Sequence, residues 1–151
     1  EYVVPRKSIF NRIVGDSHLE LRFANYLDEC EDVVTFAKLY QQIGMKIDYI
    51  DNEGKIRDYY PDFIVKLKDN KVYIVETKGS IDVDVPRKIE RLKLWCEDVN
   101  KQNKDTDVVF DFVYVQDKAF DELLKTYTDG LLKGKGKQFS YMVELFREYK
   151  D

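Results

Sequence analysis

The 151 residues have the size of one ordinary domain, and 44% hydrophobic with 36% charged residues fits a globular chain that buries a real core. With 25 Lys and Arg against 29 Asp and Glu the net charge is −4, so the bulk charge lacks the basic footprint usual for nucleic-acid binders without excluding such binding. One histidine (His18) and two distant cysteines (Cys30 and Cys96) exclude a Cys/His zinc site and read as reduced thiols of a cytosolic protein.

The chain opens on a strand-like Glu1-Tyr2-Val3-Val4 with no signal peptide, and reads as a single domain, residues 1–151, excised from a longer protein. Asp16-Ser17 then begins a helix to about Glu29, with Leu19, Phe23, Ala24, Leu27 and Cys30 at helical spacing. Three strands are predicted next. Val33 to Lys38 is the first, and Met45 to Ile50 the second, closed by the turn Asp51-Asn52-Glu53-Gly54. The third, Arg57 to Leu67, is broken by Pro61 and ends at the turn Lys68-Asp69-Asn70-Lys71.

Val72 to Thr77 is a fourth strand, punctuated by Gly79-Ser80. After Pro86 a helix runs to about Asn103, with Ile89, Leu92, Trp95, Cys96 and Val99 on one face. Val108 to Val115 is a fifth strand, apolar enough for burial on both sheet faces. Helices over Phe120 to Tyr127 and Phe139 to Tyr149 flank a Gly/Lys loop. This order predicts an α/β fold with a central mixed sheet and helices on both sides. No apolar run approaches the roughly 20 residues of a membrane span.

Chemistry concentrates in Pro61-Asp62 and Glu76-Thr77-Lys78. Val72, Ile74, Glu76 and Lys78 share one strand face, because side chains alternate. Charges at the end of an apolar row are expensive to bury without a partner. A divalent cation beside a second carboxylate supplies that partner, and Asp62 on the adjacent strand is the natural candidate. Magnesium prefers carboxylate oxygens and keeps several waters, so two carboxylates and a phosphate oxygen suffice. Lys78 can orient an attacking water or stabilise developing negative charge.

The hairpin geometry sets a condition. A plain two-residue turn at Asp69-Asn70 makes opposed residue numbers total 139, which places Asp62 opposite Thr77 and sends Glu76 to the other face. Bringing Asp62 and Glu76 together needs an odd-length loop or a bulge, either at residues 68–71 or beside Pro61. Taken singly, Asp after Pro is a common turn and Glu-x-Lys a common solvated edge; their coupling across one hairpin carries the site reading.

The Pro61-Asp62 and Glu76-Thr77-Lys78 pair resembles the PD-(D/E)XK nuclease superfamily. The flanks Tyr59-Tyr60-Pro61-Asp62-Phe63-Ile64-Val65, Val75-Glu76-Thr77-Lys78-Gly79 and Trp95-Cys96-Glu97 are similar to the C-terminal endonuclease domain of type III restriction enzyme Res subunits, from about Glu1 through Asn100. The resemblance implies a restriction-endonuclease-like core and magnesium-dependent cleavage of DNA phosphodiesters, with Mn²⁺ as a substitute. Asp62 and Glu76 would bind the metal with the Thr77 carbonyl, and Lys78 would serve the water. It also implies double-stranded DNA as substrate, an upstream helicase-like ATP-driven motor in the same polypeptide, a methyltransferase subunit as partner, and a prokaryotic cytoplasm. No Walker-type loop occurs in this chain, so ATP use lies elsewhere.

Glu20 has two readings. Ser17-His18-Leu19-Glu20 is a capping box, yet Glu20 falls in the apolar stripe with Phe23, Ala24 and Leu27, and many superfamily members hold an acidic residue of the first helix near the metal. His18 lies about 200° round the helix from Glu20 and is read as surface. Trp95 is read as core. Arg87, Lys88 and Arg91 are candidate DNA contacts, Lys88 foremost, and Lys133, Lys135 and Lys137 could also touch phosphates; solvated surface is the competing reading for each. A repair or junction-resolving nuclease, and an inactive nuclease fold serving as a DNA-binding module, are the alternative functions. The filled Asp, Glu and Lys positions count against the inactive module.

Overall fold

The computed structural model describes residues 2–10, 13–14, 17–40, 45–78 and 83–146. Strands β1 (Tyr2–Val3) and β2 (Ile13–Val14) form a small antiparallel pair ahead of helix α1 (His18–Glu29). Then follow β3 (Val33–Lys38), β4 (Ile47–Ile50), β5 (Ile56–Tyr59), β6 (Phe63–Leu67), β7 (Lys71–Lys78), α2 (Val85–Gln102), β8 (Val109–Gln116), α3 (Asp117–Thr128) and α4 (Phe139–Leu145).

The central sheet has the order β3-β6-β7-β8. β6 pairs antiparallel with both β3 and β7, whereas β7 and β8 run parallel with α2 as their crossover. A parallel connection needs such an element, and strands in that setting are covered on both faces. The continuous apolar runs Val72–Val75 and Phe112–Val115 are buried accordingly. The mixed sheet with helices on both sides is the α/β architecture expected from the order of elements.

Alternation along the strands divides the side chains between two cores. Phe63, Val65, Tyr73, Val75, Val113 and Val115 face Phe23 and Leu27 of α1, Phe120 of α3 and Phe139 of α4. The Phe23 ring lies edge-on to Phe63 at 5.2 Å and to Phe120 at 5.7 Å. On the opposite face Ile74 and Phe112 pack with Leu92 and Cys96 of α2 and with Ile47 and Tyr59 of the β4–β5 hairpin. Trp95 packs there too, edge-on to Phe110.

Three expectations change. The segment Arg57 to Leu67 serves two sheets: β5 pairs only with β4 in a separate hairpin, while β6 joins the central sheet. Pro61 causes the division, since it has no N–H to give a ladder and restricts the residue before it. The second strand starts at Ile47 rather than Met45. α3 starts at Asp117, not Phe120, because the Gln116 side chain accepts from the Ala119 N–H and caps the helix as β8 ends. Asp16, the punctuation at Gly79-Ser80 and the predicted last turn to Tyr149 lie outside the described residues.

Candidate active site

The hairpin between β6 and β7 fixes what can meet. Phe63 stands opposite Val75 and Lys66 opposite Val72, so opposed numbers total 138. The loop is therefore odd, Lys68-Asp69-Asn70, and it closes through Asn70 in the left-handed region at φ 66°. Asn is one of the few side chains that accept that conformation at low cost. The Asn70 N–H donates to the Leu67 carbonyl at 3.2 Å, and the Lys71 N–H donates to Asp69 Oδ1 at 3.1 Å.

A second irregularity sits beside Pro61. The ladder begins at Phe63, yet the Asp62 N–H donates to the Val75 carbonyl at 2.9 Å, one residue out of register. Asp62 leaves the pleat as a bend, held from the β3 side by the Leu39 N–H donating to the Asp62 carbonyl at 2.6 Å. One irregularity was expected, either at residues 68–71 or beside Pro61, and both places are irregular.

Released from the ladder, the Asp62 carboxylate turns onto the end of β7. Its Oδ2 accepts from the Thr77 N–H and from Thr77 Oγ1, each at 2.8 Å. Its Oδ1 faces the Lys38 ammonium at 3.8 Å. Glu76 projects from the same face of β7 as Ile74, toward α2, and is only 5% exposed. Its Oε2 is buried with no hydrogen bond of normal geometry, and the only partner it approaches among the described residues is the similarly buried Tyr59 hydroxyl. Lys78, half-buried, ends the strand on that face. The cluster lies at the carboxyl end of β7 beside its parallel neighbour, where open α/β sheets place their ligands.

Electrostatics mark these carboxyls. Burial, followed by the charge of Asp62, pushes Glu76 from 4.5 up to about 8, against the pull of Tyr59, Lys78 and Lys88. Burial also raises Asp62 to about 6; the two Thr77 donors and Lys38 oppose it, and Glu20 adds to it. The Tyr59 hydroxyl is pushed well above its ordinary range by burial and then by Glu76. Desolvation disfavours the charged form in every case. Carboxyls raised this far by burial and by neighbouring carboxylates mark a candidate functional site.

Glu20 makes the expected helix cap and also turns inward. The box is complete, with the Glu20 N–H donating to Ser17 Oγ at 3.2 Å and the Ser17 N–H donating to Glu20 Oε2 at 3.3 Å. The side chain is also buried, and its Oε1 lies 3.4 Å from Lys38 Nζ. Lys38 thus links Glu20 to Asp62. Sequence reasoning placed Lys38 only at a strand end, although its spacing of two from buried Phe36 put it on the inward face. Tyr59 was read only as part of a motif flank, and its position against Glu76 also emerges from the folding of the β4–β5 hairpin.

The candidate DNA contacts separate. Lys88 is half-buried, with Nζ 5.6 Å from the Tyr49 ring centre and 5.7 Å from that of Tyr59, directed so that it acts on Glu76. Arg91 donates from Nε to the Asp48 carbonyl at 3.0 Å, and with exposed Arg87 lines a cleft of about 740 Å³ between the β4–β5 hairpin and α2. That cleft contains none of Asp62, Glu76 and Lys78. Lys137 pairs with Glu29, Lys133 and Lys135 are exposed, and so is His18.

The donor set suits a hard divalent cation. Among the described residues the ligands at hand are carboxylate and carbonyl oxygens, Glu76 Oε2 makes no hydrogen bond of normal geometry, and Asp62 Oδ1 faces the Lys38 ammonium. Among the described residues no group of three or more His, Cys, Asp or Glu side chains has metal-holding geometry. Two carboxylates with coordinated waters are an arrangement that magnesium accepts.

A family model described as an endonuclease domain matches residues 6–118, which is 113 of the 151 residues and contains all of these site residues. No curated protein and no solved structure gives a significant match. The match runs past Asn100, where the sequence resemblance ended, and takes in the whole of β8. The chain belongs to this endonuclease-domain family and is a restriction-endonuclease-like nuclease.

Proposed function

We propose that this domain hydrolyses DNA phosphodiester bonds with magnesium, Mn²⁺ substituting, as the cleavage module of a type III-like restriction enzyme. One observation supports the reading above the others. Within an endonuclease-family chain, Glu76 Oε2 is buried without a hydrogen bond of normal geometry beside a second carboxylate, Asp62. Asp62 and Glu76 would hold the ion, together with the Thr77 carbonyl. Bound there, the ion would polarise the scissile phosphate and acidify a water.

The protein supplies the remaining functions. Thr77 uses its N–H and hydroxyl to fix the Asp62 carboxylate, so that Oδ1 is the oxygen left for a cation. Lys78 orients the attacking water and stabilises charge developing on the phosphate oxygens. Glu20 acts on Asp62 through Lys38. Lys88 stands between the two tyrosines and Glu76, within reach of a phosphate brought to the ion.

Double-stranded DNA is the proposed substrate. The partners are an ATP-driven helicase-like motor in the same polypeptide and a methyltransferase subunit that selects the site, in a prokaryotic cytoplasm. Among the described residues no helix is long and apolar enough to cross a membrane. The test is nicking of supercoiled plasmid in Mg²⁺ and Mn²⁺ by the wild-type chain, Asp62→Ala and Lys78→Ala. Cleavage by the wild type alone is expected, and equal cleavage by all three would remove these residues from the mechanism.

A further inference from the structure

Lys38 is 3% exposed, a lysine to which the hydrolytic scheme gives no chemical step of its own. Its ammonium lies 3.4 Å from Glu20 Oε1 and 3.8 Å from Asp62 Oδ1. The rings of Tyr40 and Phe63 stand 5.4 and 5.6 Å away. A buried ammonium persists only where it is paired, and two carboxylates on different elements pair it. One belongs to the first turn of α1 and the other to the bend before β6.

The Asp62 side of this pair decides its meaning. Oδ2 already accepts two hydrogen bonds from Thr77, which use that oxygen's lone pairs. Oδ1 is then the oxygen left for a cation, and Lys38 is the cation before it. Glu20 cannot release Lys38 freely, because its Oε2 is engaged by the Ser17 N–H. At 3% exposure Lys38 is also withdrawn from any phosphate backbone, which argues against a DNA contact.

We propose that Lys38 is a positioning residue, an internal counter-cation that holds Glu20 and Asp62 together in the metal-free protein and competes with the metal ion for Asp62 Oδ1. This inference rests on the metal-binding reading above. It places an upper limit on metal affinity, because an ion arriving at Asp62 meets a positive charge already installed. It also gives Glu20 a defined part: Glu20 keeps Lys38 in place and reaches the ion only through it.

The test compares the wild-type chain with Lys38→Met, which keeps length and removes charge, and with the double variant Glu20→Gln/Lys38→Met. Mn²⁺ binding is measured by calorimetry and metal-free Tm by thermal melting. Lys38→Met is expected to lower the metal-free Tm by roughly 5–15 °C, since it leaves two buried carboxylates without their cation. The same change is expected to tighten Mn²⁺ binding by at least about fivefold, the lower end of ordinary site-to-site couplings. The double variant regains part of the Tm. It also keeps the tighter binding, which covers the case in which the single variant fails to fold.

A purely structural lysine lowers Tm and leaves Mn²⁺ affinity unchanged or weaker, and that result in both variants overturns the proposal. Binding by the variants with none by the wild type supports it in its strongest form. Silence from all three proteins overturns the metal-binding reading itself, and the competition with it.

Discussion

Glu76→Gln separates the cost of the site from its use. The change keeps shape and replaces a buried carboxyl by an amide, for which the Tyr59 hydroxyl can accept a hydrogen bond. Burial and Asp62 raise the Glu76 carboxyl from 4.5 to about 8, so at pH 7 folding requires this group to take up a proton that the unfolded chain has released. Across about 2.5 pH units at about 1.4 kcal/mol per unit, that uptake costs roughly 3 kcal/mol. The sign follows from proton counting. Between 4.5 and 8 the folded state holds more protons than the unfolded one, so stability falls as pH rises through that window and levels off above it. Asp62, raised from 3.8 to about 6, adds a slope of the same sign at lower pH.

Urea unfolding of metal-free protein between pH 5 and 9 measures this. The wild type should lose stability with rising pH, whereas Glu76→Gln should be the more stable protein at pH 7 and nearly flat from pH 6 to 8. At roughly 2–4 °C per kcal/mol for a domain of this size, the gain in Tm is several degrees. Added Mg²⁺ should stabilise the wild type by mass action and leave the variant largely unaffected. Parallel pH curves for the two proteins, or a lower Tm for the variant at pH 7, would refute the account of Glu76 as a buried carboxyl waiting for a cation.

Further outcomes follow from the same contacts. Thr77→Val removes the hydroxyl donor to Asp62 Oδ2 but keeps the backbone donor, so the Asp62 carboxyl should move above 6 and the pH at which Mn²⁺ binding half-develops should rise with it in calorimetric titrations. Lys88→Met removes a cation that favours ionised Glu76, so metal uptake should require higher pH; an unchanged pH profile would count against that placement. Asn70→Val should cost about 1–2 kcal/mol in urea unfolding through its left-handed backbone, whereas Asn70→Gly should cost little, and equal losses would contradict the turn geometry. Phe23→Ala, which removes the ring packed against Phe63 and Phe120, should cost about 3–5 kcal/mol on the same assay.

The sheet was legible because its strands announce their setting. The apolar run at Val72–Val75 with its charged end, and the second run at Phe112–Val115, are what doubly covered neighbouring strands require. The helix at Ser17 was legible from its cap, and the complete box agrees. The division of Arg57 to Leu67 between two sheets was less legible. Pro61 signals an interruption, but a proline cannot say that the strands on either side find different partners. The α3 start was hidden for a related reason, since Gln116 is an uncommon cap and the apolar run of β8 leads directly into it.

The site divides along the same physical line. Asp62, Glu76 and Lys78 could be read from local spacing, and the need for an odd loop followed from counting residues across one hairpin. Asn70 at φ 66° and the bend at Asp62 meet that need by two local devices. Lys38 could not be read this way, because its significance depends on α1, β3 and the Pro61 bend meeting at one point. No sequence window contains those three elements. Burial of Lys38 makes sense only once Glu20 and Asp62 are both beside it, and the same meeting gives Glu20 a contact beyond its helix cap. Glu20 divides its oxygens between two tasks: one satisfies the helix, and the other holds the lysine that faces Asp62.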